Sequence, residues 1–382
     1  MKNIAVITAT RAEYGILTPL IKRINDDEEL NLKLLVTGTH LSEKHGMTVK
    51  FIEEDSFPIE KCIPILEEGN SPYDISLTMA NAMKAFAEYF RNERPDMVVI
   101  LGDRTEMLAI AAAAMNERIP IAHIHGGEVT EGAVDDCVRH ALSKMSYLHF
   151  PSTKSYRKRI IQLGEDPDRV FNVGALSTEN ILNQEKIEEG LLREELGIDP
   201  KMPYSVVTFH PVTLEEDSVK KQTEALISSM AKRKDIFFLI TMANADCGGD
   251  EVNKMIADAC KLYNNMKLVS SLGMKRYLSA VSYAAFVLGN SSSGLIEAPV
   301  LGTPTVNIGD RQRGRLMAET IINCSPDEKD IDKAINKAVV SEHKKSYLYG
   351  NGNTSQKIVD IIKGVFKEDK IDLKKKFHDI DF

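Results

Sequence analysis

The chain has 382 residues, 43% hydrophobic and 27% charged, with a formal net charge of −8. This is the composition of a folded two-domain globular protein, and it lacks the basic block that would hold nucleic acid. No apolar run reaches the ~20 residues of a membrane helix, and the five scattered cysteines form no CxxC, which argues for reduced thiols and a cytoplasmic setting rather than disulfides or zinc.

The N-terminal MKNIAVITAT enters a strand at once and shows no secretory leader pattern. In chain order, IAVIT, LKLLVTG, MVVILGD, IPIAHIH and YLHFPST read as strands. Between them, TPLIKRINDDEEL, ISLTMANAMKAFAEYFRNER and TEMLAIAAAAMNER have helical periodicity. The stretch FNVGALSTENILNQEKIEEGLLREELGIDPKMP is polar and turn-rich, and it places a hinge near Gly174 and Ala175. The rhythm then resumes, with YSVVTFH, IFFLITM, AAFVLGN and TPTVNIG as strands. SVKKQTEALISSMAKR, EVNKMIADACKLYNN and SSGLIEAPVLG are the helices of this second series.

Near-continuous apolar strands alternating with helices imply parallel sheets covered on both faces. The expected fold class is therefore α/β, with Rossmann-like domains at 1–174 and 175–354. A C-terminal helix, 355–382, is expected to pack back on the first domain. The charge-rich end KEDKIDLKKKFHDIDF reads as a solvated helix end or a mobile tail.

In such sheets ligands sit beyond the carboxyl ends of the strands, and the unusual polar residues fall there. Arg11 follows the first strand, and Asp103 and Arg104 follow MVVILG. His125, Glu128, Asp135 and Asp136 follow IPIAHI. In the second series His210, Asn244, the run Ser291 to Ser293, and Arg311 hold the same position. This one-sided polarity points to a ligand cleft between the domains. GNSSSGLIEA opens a helix whose free N–H groups suit a phosphate, with Glu297 placed to accept ribose hydroxyls. The alternative is plain N-capping by serine. A P-loop and a GxGxxG after the first strand are both absent, so no dinucleotide cofactor is expected. His123 and His125 with Asp135 could in principle hold a metal, but the chain has no HExxH or comparable ligand spacing, so no metal site is expected.

HIHGGEVTEGAVDDCVRH is the densest polar stretch. Gly126 and Gly127 allow close approach of a ligand to the backbone. One aspartate would cap the following helix, and Asp135 with Arg139 or Asp136 with His140 would make ordinary helix pairs. The acids Asp103, Glu128, Asp135 and Asp136 together exceed that need. Crowded carboxylates in a cleft suit general acid/base chemistry.

These residues resemble the hydrolysing UDP-N-acetylglucosamine 2-epimerases of sialic-acid biosynthesis and, more distantly, their non-hydrolysing relatives. The resemblance runs through TRAEYGILTPL, GDRTEMLA, HIHGGEVTEGAVDDCVRHALSK, TFHPVT, GNSSSGLIEAP, GTPTVNIGDRQRGR and YGNGN. It implies a GT-B-like fold with the nucleotide in an interdomain cleft, a nucleotide-sugar substrate, no cofactor, and a homodimer or homotetramer. It implies Asp103, Glu128, Asp135 and His210 as catalytic groups, with His210 steadying the diphosphate. Arg11, Arg104, His125, Asn244, Ser291, Ser292, Glu297 and Arg311 would bind substrate. His125 stands where non-hydrolysing relatives carry Glu, which moves the acid/base assignment towards Glu128. The implied reaction is anti elimination of UDP from UDP-N-acetylglucosamine to a 2-acetamidoglucal, then hydration to N-acetylmannosamine. Alternatives for the same residues are this chemistry on a UDP- or GDP-linked 2,4-diacetamido-trideoxyhexose, a non-hydrolysing epimerase, a GT-B glycosyltransferase, or a non-catalytic nucleotide-sugar sensor.

Overall fold

The computed structural model describes residues 1–69, 71–129, 134–211, 218–243, 249–270, 272–368 and 371–380. They fall into two compact units, residues 1–180 with 349–382, and residues 181–348. The division thus lies six residues beyond the hinge read from Gly174, inside a helix.

The first unit alternates β1 (Lys2–Thr8), α1 (Arg11–Asn25), β2 (Leu30–Thr37), α2 (Val49–Glu54), β3 (Ile59–Ile63), α3 (Pro72–Glu93), β4 (Met97–Leu101), α4 (Thr105–Asn116), β5 (Ile121–Ile124), α5 (Val134–Met145), β6 (Leu148–Phe150) and α6 (Lys154–Gln162). Helix α7 (Leu176–Asn183) crosses to the second unit. There follow α8 (Glu189–Leu196), β7 (Tyr204–Thr208), α9 (Ser218–Lys232), β8 (Phe237–Thr241), α10 (Gly249–Leu262), β9 (Met266–Val269), α11 (Gly273–Tyr283), β10 (Phe286–Gly289), α12 (Ser293–Leu301), β11 (Thr305–Ile308), β12 (Ile321–Cys324) and α13 (Glu328–Val339). Helix α14 (Thr354–Lys367) returns to the first unit.

Both sheets are six-stranded, ordered β3-β2-β1-β4-β5-β6 and β12-β11-β10-β7-β8-β9. All the pairings are parallel. The strand order therefore reverses between β1 and β4 in one sheet and between β7 and β10 in the other. Such switch points open a crevice at the carboxyl ends of the strands.

Strand β1 shows why these segments are strands. Ile4 and Val6 point into a core with Leu17, Leu20 and Ile21 of α1 and Ile358 and Ile362 of α14. Ala5 and Ile7 point to the opposite face, against Phe86 and Phe90 of α3 and Ile110 of α4. Alternate side chains leave the sheet on opposite sides, so a doubly covered strand must be apolar at every position. Each such isoleucine contributes about 2 kcal/mol on burial. Local signals agree. Thr10 Oγ1 accepts from the Glu13 N–H at 3.2 Å to start α1, and Ser71 with Asp74 forms a capping box ahead of α3.

Three segments differ from expectation. The polar stretch around the hinge contains α7 and α8. Residues 355–382 are not one helix, because α14 stops at Lys367. The tail beyond it, over residues 371–380, forms no helix or strand; most of its residues are exposed as expected, but Lys375 anchors it. Lys375 Nζ donates to the carbonyls of Lys144 and Ser146 at 2.8 and 2.7 Å and pairs with Glu165 at 2.6 Å. The buried Glu165 also meets Lys144 at 2.8 Å and His149 at 3.0 Å. Although burial alone would raise its pKa, the hydrogen bonds from His149, Lys144 and Lys375 outweigh it and hold the carboxyl down at about 2. A lysine-rich terminus conceals this, because its anchor lies more than 200 residues away in sequence. No helix among the described residues is long and apolar enough to cross a membrane.

Replacing Lys375 with alanine removes one of three partners from a buried carboxylate, so we expect a loss of about 2 kcal/mol. Urea midpoints near neutral pH, compared with Lys376→Ala at the neighbouring exposed position, test this. Equal midpoints for the two variants would mean that the tail adds nothing to the fold.

Candidate active site

In the first unit the polar groups gather on the turns after β1, β4, β5 and β6. The turn after β4 carries Asp103, and two neighbours fix it. His123 of β5 donates through Nε2 to the Gly102 carbonyl at 2.7 Å. Burial pushes the His123 pKa down to about 3, so it serves as a neutral strut. Arg139 of α5, itself buried, binds the Asp103 carboxylate directly. Arg139 also reaches Asp136 at 3.4 Å, and Asp136 lies 3.5 Å from His140. The α5 acid joined to Asp103 through a shared arginine is thus Asp136, while Asp135 is exposed on the same turn.

His125, just past β5, has φ +64°. This left-handed conformation is uncommon for a residue with a Cβ and marks a site held by its surroundings. Its backbone N–H donates to the Phe150 carbonyl at 3.1 Å. Its Nε2 is buried without a partner among the described residues. Burial lowers its pKa, against the pull of Glu128 and Asp103, so the imidazole is neutral with one nitrogen unsatisfied. Glu128 accepts from Ser152 Oγ at 3.0 Å. Asp103, His125, Glu128 and Arg139 therefore lie within electrostatic reach of one another. Gly127, with φ +78°, fits closely for a different reason from the expected ligand approach: a Cβ there would meet the Tyr156 carbonyl at 2.5 Å. It makes room for α6.

A second cluster lies beside Arg104. Its Nε donates to Glu106 at 2.5 Å, and the same cation acts on Glu13. Glu13 accepts from the Ala9 N–H at 3.1 Å through Oε2, while its buried Oε1 has no partner among the described residues. Burial raises its pKa to about 7, with Arg104 opposing. Arg11, at the start of α1, stacks over the Phe51 ring at 4.5 Å.

In the second unit the equivalent turns are tied together by Asn290. Its side chain accepts from the His210 N–H at 2.7 Å and donates to the His210 carbonyl at 2.8 Å. Its own carbonyl accepts from Gln312 Nε2 at 2.8 Å and Arg311 Nη1 at 3.3 Å. One asparagine thereby sets His210, the serine turn and Arg311 in register. Gly289, with φ +135°, is required where β10 meets β7, since a Cβ would lie 2.0 Å from the Thr208 carbonyl. Ser291 and Ser292 are half-buried at the start of α12, and Tyr277 hydrogen-bonds Ser293 Oγ at 2.5 Å. Burial raises the pKa of Glu297, whose Oε2 is buried and unpartnered among the described residues. Asn244 lies outside the described residues.

Arg139, Asn290 and Glu13 were absent from the site read in the sequence. Arg139 had a local helix partner that explained it, while Asn290 and Glu13 were given no role; the depth of Glu13 in the fold and the bonds from Asn290 to His210 set them apart.

Residues 22–363 match the family model described as UDP-N-acetylglucosamine 2-epimerase. The chain is 40% identical to a GDP/UDP-N,N'-diacetylbacillosamine 2-epimerase (hydrolyzing) of Campylobacter jejuni, over 90% of this chain and 89% of that one. It is 38% identical to polysialic acid biosynthesis protein P7 of Escherichia coli, over 100% and 98%. A crystal structure of Neisseria meningitidis UDP-GlcNAc 2-epimerase bound to UDP-GlcNAc shares the fold, with TM-score 0.79 and 19% identity over 95% of this chain and 100% of that one. The fold is accordingly α/β and GT-B-like, built of two Rossmann-like units.

Glu13 makes stability depend on pH. A carboxyl whose folded pKa is about 7 rather than 4.5 stabilises the fold fully below 4.5 and loses that contribution as pH rises to 7. At about 1.4 kcal/mol per pH unit the loss amounts to about 3 kcal/mol. Glu13→Gln should be more stable than the parent at pH 8 and lose that advantage by pH 5, as read from urea midpoints. A difference that does not vary with pH would show that Glu13 does not titrate in this range.

Proposed function

The chain belongs to the UDP-N-acetylglucosamine 2-epimerase family, and from that premise we propose that it is a hydrolysing 2-epimerase acting on a UDP- or GDP-linked 2,4-diacetamido-trideoxyhexose. The observation that carries the substrate is the 40% identity, over 90% of the chain, to the hydrolysing diacetylbacillosamine enzyme. The residues alone put UDP-N-acetylglucosamine first; this likeness moves the diacetamido sugar ahead of it.

The reaction follows from the groups available. A base removes the C2 proton, its electron pair forms the C1–C2 double bond, and the C1–O bond breaks. The nucleoside diphosphate leaves with the bonding pair. Water then adds across the glycal, hydroxyl to C1 and proton to C2 on the opposite face, releasing the free 2-epimer. Asp103 and Glu128 take the acid and base roles, with the unsatisfied His125 nitrogen directed at substrate. Asp135, exposed at the start of α5, is kept as a third acid to test. Arg11 and Arg104 bind from the first unit. In the second unit Ser291, Ser292, Arg311 and His210 hold the diphosphate, and the unpartnered Glu297 oxygen accepts from ribose hydroxyls. Asn244 is assigned with them on the resemblance alone. Cations and hydroxyls preorganised around a departing anion lower the barrier to its release.

A second reading keeps UDP-N-acetylglucosamine as the substrate. The family description and the likeness to the E. coli polysialic acid biosynthesis protein favour it.

Proton NMR in D2O separates these readings. The diacetamido substrate should yield free nucleoside diphosphate and a reducing 2-epimer deuterated at C2, faster than UDP-N-acetylglucosamine yields N-acetylmannosamine. Faster turnover of UDP-N-acetylglucosamine would reverse the order, and an accumulating 2-epimeric nucleotide sugar would refute hydrolysis.

Asp103→Asn and Glu128→Gln should each lower kcat by a factor of ~100 or more while still binding UDP. Arg311→Ala should weaken UDP binding by about tenfold or more, by calorimetry. Near-normal turnover in both acid variants would overturn the assigned roles.

A further inference from the structure

The turns after β2, β3 and β4 enclose a cavity of about 690 Å3 in the first unit. Of its lining residues, Arg104 alone is among the site residues that the resemblance brought forward. We propose that it is the subsite for the far side of the sugar, receiving the C4 acetamido and C6 methyl groups. This rests on the substrate reading given above.

Position is the first argument. The cavity is lined by Arg104, Thr105 and Glu106, the three residues that follow Asp103 in the chain. Its other walls come from the turns after β2 and β3 and the start of α3, so it opens at the same carboxyl edge of the sheet. A pyranose presented to Asp103 through C2 carries C5, with its C6 methyl, directly across the ring, and C4 beside C5. Substituents there must extend away from the proton-transfer groups, and this is the cavity beside them.

Charge is the second argument. Lys44 and Arg104 face Glu67, Glu68 and Glu106 on the lining, a formal balance of −1. A phosphate or carboxylate would be repelled, so the fitting occupant is neutral.

Surface chemistry is the third. Leu41, Ile65, Leu66 and Ile75 supply an apolar wall between these polar groups. An acetamido group needs one donor, one acceptor and an apolar contact for its methyl; a deoxygenated C6 adds a second methyl. Pockets with a few placed polar groups on an apolar lining are the usual form of small-molecule sites.

The wall is also preorganised. Asn81 of α3 donates to Glu67 at 2.8 Å and to the Ile65 carbonyl at 3.3 Å. The Glu67 N–H donates to Thr78 Oγ1 at 3.1 Å. These bonds tie the turn after β3 to α3. Ile75 sits on the rim, on the first turns of α3, with 44% of its surface exposed. A larger side chain there fills the cavity without disturbing the core.

The test is steady-state kinetics of Ile75→Trp on the 2,4-diacetamido sugar nucleotide, with the free nucleoside diphosphate as a competitive inhibitor. We expect kcat/KM to fall by at least tenfold, mainly through KM, with the inhibitor constant of the diphosphate unchanged. Ile75→Ala, which only enlarges the mouth, should keep the inhibitor constant and raise KM by less. Unchanged kinetics in Ile75→Trp would overturn the subsite and leave the epimerase reading standing. Parallel loss of sugar-nucleotide and diphosphate binding would overturn it too, as a general distortion. A parent enzyme that turns over UDP-N-acetylglucosamine but not the diacetamido substrate would remove the substrate reading and the subsite with it.

Discussion

Both units depend on one constraint: a parallel sheet covered by helices on both faces has no polar face. Every side chain along β4, Met97 to Leu101, is buried, and the same holds for β7 and β10. Polar chemistry is excluded from the sheet surfaces and has somewhere to go only at the strand ends. Because all the strands of a sheet run the same way, their carboxyl ends share one edge, and most are followed by a helix N-terminus. Backbone N–H groups and the short turns bearing acids or hydroxyls therefore converge there.

Convergence alone leaves the turns loose, and each unit fixes its edge with a side chain that spans two or more of them. In the first unit Arg139 reaches from α5 to Asp103 after β4, and His123 holds the carbonyl just before it. In the second, Asn290 brackets the backbone of His210 and takes Gln312 and Arg311 on its own carbonyl. A buried polar group left unpaired costs about 1–3 kcal/mol. These bridging residues are consequently more than decoration: losing one strands several partners at once. Among the described residues, His125, Glu297 and Glu13 are three of the ten buried side chains that keep a polar atom without a partner.

How far the sequence could be read follows from the same physics. Doubly buried strands such as MVVIL and FFLIT announce themselves, since burial on both sides permits no alternation. Strand β3, IEKCI, does not: it lies at the sheet edge with three consecutive exposed residues. Helices α7 and α8 were hidden in a stretch whose polarity suggested a linker: α8 buries only Leu192 and Leu196, and α7 buries polar Thr178 and Glu179 beside Leu176 and Ile181. Site residues directly after strands were legible by position, as with Asp103, His125 and Arg311. Those whose role depends on a partner far along the chain were not. Asp103 and Arg139 are 36 residues apart, and Asn290 and His210 are 80 apart. The tail shows the same limit, since eight lysines and acids among residues 367–376 say nothing of a buried glutamate waiting for one of them.

The polar groups at the strand ends differ between the units. In the first unit the carboxylates are each held by a neighbour: Asp103 by Arg139, Glu106 by Arg104, Glu128 by Ser152. Such pairing fixes the direction of each carboxylate and limits their mutual repulsion. Among the described residues of the second unit the corresponding turns present serines, a histidine, an arginine and the N-terminus of α12, with Glu297 in that helix. A diphosphate set among the first unit's carboxylates would meet like charge at close range, which at ~4 Å costs about 4 kcal/mol per pair at an effective dielectric near 20. Among the described residues the paired carboxylates and the turn bearing serines and Arg311 thus stand at the strand ends of separate sheets, in a chain of net charge −8.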